Sequence, residues 1–317
     1  MATGRELFQC FLRGAPLVRP AFVPLVRGLA ARVGGVKAEA FTQDPTAWAN
    51  VLVKTAELFK LDGVVAGLDW TLLAEACGCP VVWQDDRPEL AGPAGQLCAA
   101  PEETGRLKVA LEKARRMFDI SRANRACVAV MTGPVNLAGQ VFGPEVDDKA
   151  LAAIKPLAVR VAEAFCATRP DVLIFLEGRA LAERGVTMGA RKVYNTLGNL
   201  AAHYDVPTGL FLRNYGPELP QGLALLKLDF HVLGTSHTGE LPSRRVLEGL
   251  AGQGLGLGIG LPLDDLDAAR EVMAQGAELY RAQAGRGFFF TSLGPATRDT
   301  NLEVMHQLVA EISRVQL

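Results

Sequence analysis

Residues 68–83, LDWTLLAEACGCPVVW, carry two carboxylates, Asp69 and Glu75, and two thiols, Cys77 and Cys79. Paired carboxylates are the material of general acid and base catalysis, and paired thiols that of zinc binding. The spacing argues against both. Side chains six or two residues apart on a helix point to different sides, and two thiolates alone do not complete a tetrahedral zinc site. Cys77 and Cys79 therefore read as small buried apolar residues. Asp69 keeps two readings: an anion or base in a cleft, or the N-cap of a helix starting at Trp-Thr-Leu-Leu. Further polar residues stand where apolar runs end: Asn136, Glu177, Arg213-Asn214-Tyr215, Ser236-His237 and Ser292. Glu177 must leave the core or be paired there; it is a candidate acid, or a partner for Arg179, Arg184 or Arg213. Arg213 can grip a carboxylate through two parallel hydrogen bonds, with Asn214 and Tyr215 as neutral donors beside it. His237, flanked by polar residues, is a better catalytic candidate than His231 inside FHVLG. No Gly-x-Ser-x-Gly accompanies it, so a hydrolase triad is not expected.

Such residues act only if the fold brings them together. Eight short apolar runs recur along the chain: 21–25, 63–68, 126–133, 172–178, 207–213, 230–235, 255–261 and 287–294. Each is continuously apolar, as a strand buried on both faces must be. Between them lie amphipathic stretches with apolar residues at three- and four-residue spacing, over 149–168, 188–204, 264–282 and 299–315. Asp299 or Thr300 is placed to cap the last of these. The alternation predicts a single α/β domain over 1–317, an eight-stranded (β/α)8 TIM barrel, with a doubly wound open sheet as the alternative. In a barrel the C-terminal strand ends share one opening, which gathers Asp69, Asn136, Glu177, Arg213, His237 and Ser292. The stretch 80–100 breaks the rhythm and predicts a small hairpin beside the mouth. In GQGLGLGIGLP the glycines make room for a bulky neighbour or a flat cofactor, and the strand–GxGxxG–helix setting of a dinucleotide site is missing.

Composition narrows the partners. The 317 residues carry 33 basic and 34 acidic side chains, a net charge of −1, which gives no field for nucleic acid or an anionic membrane. The cluster Lys113-Ala-Arg115-Arg116 reads as a solvated helix face. No apolar run is long enough to span a bilayer, the N-terminus lacks a secretion signal, and the six cysteines are too sparse for a disulfide scaffold. A reducing cytoplasm is the expected location.

Several segments, in order, resemble the uroporphyrinogen decarboxylase superfamily, which includes the cobalamin-dependent methyltransferases. They are GLDWTLLAEACGCPVVW, VAVMTGPVNLAG (128–139), GLGIGLPLDDL (256–266) and FFFTSLGPATRDTNLEVM (288–305). The wording AEACGCPV is closer to the methyltransferase branch. The resemblance implies an eight-stranded barrel with a deep cleft and, weakly, a dimer. The decarboxylase pattern departs at three places. The N-terminal arginine pair is replaced by RPAFVPLVRGLAARVGG, with Arg19, Arg27 and Arg32 in another setting; Phe142 stands where a tyrosine is usual, and Pro295 replaces a histidine. Only Asp69 matches a decarboxylase catalytic position. The zinc ligands of the methyltransferases are also missing, since FLRNYG and FTSLGP hold no cysteine or histidine, so no zinc is expected. The implied function is methyl transfer between a small organic donor and the cobalt of a corrinoid (cobalamin) on a partner protein. Glu177 would then protonate the departing oxygen of a methyl ether. The alternatives are decarboxylation of a porphyrinogen or smaller acid, and a non-catalytic tetrapyrrole- or partner-binding role.

Overall fold

A computed structural model describes the chain except residues 1, 86, 217, 219, 221, 253–255, 283–286 and 316. The strands are β1 (Gly63–Ala66), β2 (Val81–Gln84), β3 (Arg87–Leu90), β4 (Ala126–Thr132), β5 (Val172–Glu177), β6 (Thr208–Leu212), β7 (Phe230–Leu233), β8 (Gly256–Leu261) and β9 (Phe288–Ser292). Seven of them form one parallel sheet in the order β1-β4-β5-β6-β7-β8-β9. That order follows the chain without reversal, so there is no topological switch point, and the doubly wound alternative falls. β2 and β3 pair antiparallel as the expected hairpin. Position 255 of the expected 255–261 strand lies outside the described residues.

The run 21–25 is not a strand. It makes one isolated bridge, Phe22 to Phe290, yet bonds to both edges of the sheet. Val23 N donates to Phe290 O at 2.9 Å and Phe290 N to Ala21 O at 2.8 Å, while Asp62 N, beside β1, donates to Phe22 O at 3.0 Å. Pro20 and Pro24 lack the amide hydrogens that would extend this ladder. Side chains replace the missing bonds: Leu25 N donates to Ser292 Oγ at 2.9 Å and Thr291 Oγ1 to Val23 O at 2.7 Å.

Alternation along the strands sorts side chains onto two faces. Val65, Val128, Val130, Ile174, Leu176, Phe211, Val232 and Phe289 line one small apolar void of about 10 Å³ with Val23 and Leu25, which marks the inner face of the curled sheet. Their neighbours Cys127, Ala129, Met131, Leu173 and Phe175 pack in the other core, with the helices. Phe11 meets Phe289 edge to face with ring centroids 4.8 Å apart, and Phe230 likewise at 5.3 Å. The β8 glycines serve this packing. A Cβ on Gly256 would strike Phe11 at 2.8 Å, and one on Gly258 would strike Phe289 at 2.8 Å. The space they leave is filled by protein, which removes β8 as a seat for a flat cofactor.

Helix termini follow local chemistry. The last helix, Leu302–Ile312, is capped by Asn301, which accepts from Glu303 N and Val304 N. Asp299 and Thr300 are not the cap, because Thr300 Oγ1 instead accepts from Thr297 N at 3.1 Å. Among the described residues, no helix is long and apolar enough to cross a membrane.

Candidate active-site cleft

After β1 the chain turns at Gly67, whose φ of +82° and contact with Val130 O admit no side chain. The turn carries Asp69 over the end of the sheet, where it is 5 % exposed. Its Oδ1 accepts from Thr71 N at 2.9 Å and Thr71 Oγ1 at 2.8 Å. Its Oδ2 meets Arg106 Nη1 at 2.6 Å and Arg27 Nη1 at 3.1 Å. Burial would raise the carboxyl pKa, but the two guanidiniums and the Thr71 donors outweigh it and hold Asp69 below its ordinary range. Thr71, not Asp69, is the N-cap of the short helix Leu72–Ala76.

Glu75 joins this cluster, since Arg106 Nε donates to Glu75 Oε2 at 2.5 Å. The sequence spacing suggested divergence. Asp69 precedes the helix, however, so helical periodicity does not govern the pair, and one arginine links both carboxylates. Lys113 differs from expectation as well: Arg115 and Arg116 are exposed and pair with half-buried Glu112, but Lys113 is 2 % exposed. Its Nζ lies 3.7 Å from the Trp48 ring centroid, and Arg27 Cζ lies 5.8 Å from the same ring. Burial and the nearby Arg27 charge, partly opposed by Asp69, push the Lys113 pKa down to about 7.

Two chambers open here. One of about 690 Å³ is bordered by Arg27, Asp69, Trp70, Arg213, the hairpin residues Gln84–Glu89 that are described, and 295–299. The other, about 730 Å³, is bordered by Trp70, Asn136, Gln140, Gly178, Arg213 and Asn214. Trp70 and Arg213 belong to both and form the wall between them, Arg213 Cζ lying 5.5 Å from the Trp70 ring. Arg213 follows β6 on the same parity as inward-facing Phe211, which is why it reaches the cleft. Desolvation lowers its pKa. Its Nε is buried without a partner, and no carboxylate pairs with it among the described residues. Trp70 Nε1 and Gln140 Oε1 are also buried and unpartnered.

The remaining candidates are placed elsewhere. Glu177 has the outward parity of Leu173 and Phe175 and is fully buried. It accepts from Val135 N at 2.9 Å, Asn136 N at 2.8 Å and Tyr194 Oη at 2.7 Å. It thus satisfies two amides at the start of the helix Pro134–Phe142, whose N-cap Gly133 offers no side chain. None of Arg179, Arg184 and Arg213 pairs with it. Burial pushes its pKa up to about 7 against those three donors. Tyr215 is 2 % exposed and donates to Gly234 O at 3.1 Å. His237 is exposed, with Nδ1 3.0 Å from Tyr215 O. Ser292 has outward parity and serves Leu25. Buried His231 has no partner on either ring nitrogen, and burial holds its pKa down to about 4. Neither Glu177, Tyr215, His237 nor Ser292 borders either chamber.

Zinc does not fit this donor set. The ends of β6 and β9 bring Arg213, Asn214, Ser292 and Leu293, without thiolate or imidazole. Among the described residues, no three His, Cys, Asp or Glu side chains cluster as metal ligands. Cys77 is buried and its thiol pKa is pushed up to about 12, chiefly by burial.

The structure is thus a curled parallel sheet of seven strands with a charged cleft at its C-terminal edge. Residues 3–165, just over half the chain, match the family model for uroporphyrinogen decarboxylase (URO-D), and the chain belongs to that family. The fold is similar to that of a methyltransferase from Methanosarcina mazei, with a TM-score of 0.71, 16 % identity, and 99 % of each chain covered. It is also similar to a B12-independent methionine synthase from Shewanella sp. W3-18-1 solved with selenomethionine, with a TM-score of 0.60, 13 % identity, and 93 % and 96 % coverage of the two chains. At such identities the likeness is one of fold. No curated protein matches the sequence.

Of the three N-terminal arginines, Arg27 reaches the cleft. Arg19 is held by Asp62 at 2.7 and 2.8 Å, and Arg32 donates to the carbonyls of Arg298 and Thr300. Arg27, Arg106, Lys113, Trp48 and Trp70 thus join the site although none of them stands at a strand end as a candidate in the sequence. For Arg106 and Lys113 a signal existed: with Ala110 and Met117 they keep helical spacing on one buried stripe.

Proposed function

We propose that this chain is a methyltransferase that seats a small anionic methyl donor in the cleft and passes the methyl to the cobalt of a corrinoid carried by a separate protein, without a resident zinc. In this reading segment 21–25 serves as the eighth strand of a closed barrel. The observation that carries the proposal is Arg213, a desolvated guanidinium on the wall shared by both chambers, with no carboxylate paired to it among the described residues. Such a group is costly unless a ligand anion completes it, and its flat fork suits a carboxylate. The likeness in fold to a methyltransferase supports the same reading.

Within this proposal the larger chamber, with the neutral amides of Asn136, Gln140 and Asn214, faces the corrinoid. That group, when bound, supplies the methyl acceptor. The chain's own residues bind and orient the donor: Arg213 holds its anion, Trp70 covers it, and Arg27 contributes positive charge from the side of Asp69. Orienting the reacting bond at the chamber boundary is the main catalytic contribution such a site can make. Asp69 is locked as an anion by two arginines, so it acts as a fixed charge rather than a proton carrier.

A second reading, decarboxylation, is favoured by one specific observation: Arg27 and Arg213 border the same chamber, as a substrate with several carboxylates would require. The test is incubation with reduced corrinoid protein and a panel of methylated carboxylates, following cobalt absorbance. Arg213→Ala is expected to weaken donor binding by about ten- to a hundredfold, the value of a charged hydrogen bond pair. Full activity in that variant would sink the role given to Arg213. Carbon dioxide release from a porphyrinogen, with no cobalt response to any donor, would transfer the assignment to decarboxylation.

A further inference from the structure

Beneath the chamber that contains Asp69 lies a cationic cluster in which Lys113 has no task in the scheme above. Lys113 enters from the helix Gly105–Ser121 and is 2 % exposed. Its Nζ sits on the face of Trp48, 3.7 Å from the ring centroid, and the Arg27 guanidinium sits 5.8 Å from that ring. Lys113, Trp48 and Arg27 border one void of about 10 Å³ whose other walls are apolar. Among the described residues no carboxylate forms an ion pair with Lys113. Arg27 spends Nη1 on Asp69, while its Nε and Nη2 are buried without partners.

The charges do not balance when Lys113 is protonated. Arg27 and Arg106 are matched by Asp69 and Glu75. An ammonium on Lys113 is then surplus, buried, and repelled by Arg27. The Trp48 face favours the ammonium; burial and the Arg27 charge, partly opposed by Asp69, push its pKa down to about 7. The surrounding elements offer no other relief. The helix Pro45–Leu58 turns Trp48, Ala49, Leu52 and Val53 inward, while its Lys54 and Glu57 are exposed. β1 and β4 present only apolar groups and Thr132. Arg106, on the same helix as Lys113, is engaged with Asp69 and Glu75. Glu102, just ahead of that helix, pairs with Arg160. The charged groups that act on Lys113 are therefore Arg27 and Asp69.

We propose that Lys113 is a proton-linked positioning residue: it takes up a proton when an anion settles against Arg27, and the restored charge balance holds Arg27 and the anion in place. No bond is made or broken apart from that proton, which comes from solvent. The inference rests on the reading of the cleft as an anion site and adds to it a residue that never touches the ligand. Affinity for an anion should then fall as pH rises above about 7, by at most tenfold per pH unit.

Benzoate, a carboxylate with a flat body, is a suitable probe. Its binding to the intact protein would be followed by calorimetry between pH 6 and 9 in buffers of different ionisation enthalpy. The expected result is proton uptake on binding and affinity that declines with pH in the wild type. Lys113→Met should bind more weakly with no pH slope. Lys113→Arg, charged throughout, should recover affinity and also lose the slope. A structural role alone would not move the proton count. An unchanged slope in Lys113→Met overturns the proposal while leaving the anion site intact. Absence of benzoate binding by the wild type at every pH removes the anion site itself, and the proposal with it. Should the variants fail to fold, the wild-type Lys113 Nζ nitrogen resonance decides: it should titrate near pH 7 and shift to higher pH with benzoate. An ammonium that stays fully charged from pH 6 to 9 without benzoate overturns the inference.

Discussion

Asp69 and Glu177 are both buried carboxylates at the C-terminal ends of parallel strands, yet they live in opposite electrostatic settings. Asp69 is met by two guanidiniums and a threonine, which hold it ionised despite burial. Glu177 is met only by neutral donors, two helix amides and a tyrosine, and burial pushes its pKa up to about 7. The difference follows from geometry. Asp69 lies beyond its strand on a glycine turn that swings it over the mouth. Glu177 is the last residue of its strand, on the parity that faces the helices. The first carboxylate is part of a chamber wall and the second is an internal cap for the helix Pro134–Phe142. Position at a strand end is therefore not enough to make a residue part of the site; the face it inherits decides.

The contrast is broken most severely at the charged pole. Asp69→Asn keeps the shape but strands Arg27 and Arg106, the latter 8 % exposed, without their shared counter-charge. Removing one partner of a buried ion pair costs about 3–5 kcal/mol. Chemical denaturation should show a loss of that size. A loss smaller than that of the Glu177 variant below would mean that the charged cluster is not the tightly coupled unit its geometry describes.

At the neutral pole the expected loss is smaller. Glu177→Gln offers one carbonyl oxygen to three donors and turns an amide group toward a backbone N–H. One orphaned buried donor costs roughly 1–3 kcal/mol. The unfolding midpoint should fall accordingly, and benzoate affinity should stay at the wild-type value because Glu177 borders neither chamber. Reduced affinity in a fully folded variant would return Glu177 to the site.

These two residues also show where the sequence can be read and where it cannot. The strands β4, β5 and β9 stand out because burial on both faces demands unbroken apolar runs. The first run, 21–25, looks the same, but Pro20 before it and Pro24 within it cut its ladder to a bridge. Parity is invisible in such runs: nothing in VLIFLE or GLFLR says which alternate side chain faces the sheet interior. Hence Arg213, on the inward parity, reaches the cleft, while Glu177 and Ser292 do not. The cationic partners of Asp69 come from helices, and there periodicity does carry the information. Lys113 sits on the apolar stripe with Ala110 and Met117, although its neighbours Arg115 and Arg116 make the segment look like a solvated face. What no spacing could supply is the meeting of Arg27, Arg106 and Asp69, which are far apart in the chain and joined only by the turn at Gly67.

The gentlest test of the comparison is pH. A carboxyl with a lowered folded pKa, like Asp69, contributes stability that is present above its unfolded value, near 3.8, and lost as pH falls through the folded value. A carboxyl with a raised folded pKa behaves oppositely. Glu177 contributes fully below its unfolded value, near 4.5, and loses that contribution as pH rises through about 7. The slope for one such group is at most about 1.4 kcal/mol per pH unit, reached between its unfolded and folded values. The stability gap between wild type and Glu177→Gln should thus narrow between pH 5 and 8, while the gap between wild type and Asp69→Asn stays level there and closes only in stronger acid. Denaturation midpoints for the three proteins at pH 3, 5, 6.5 and 8 would show it. Two gaps that change in the same direction would mean that the neutral donors around Glu177 hold its charge as firmly as the arginines hold that of Asp69.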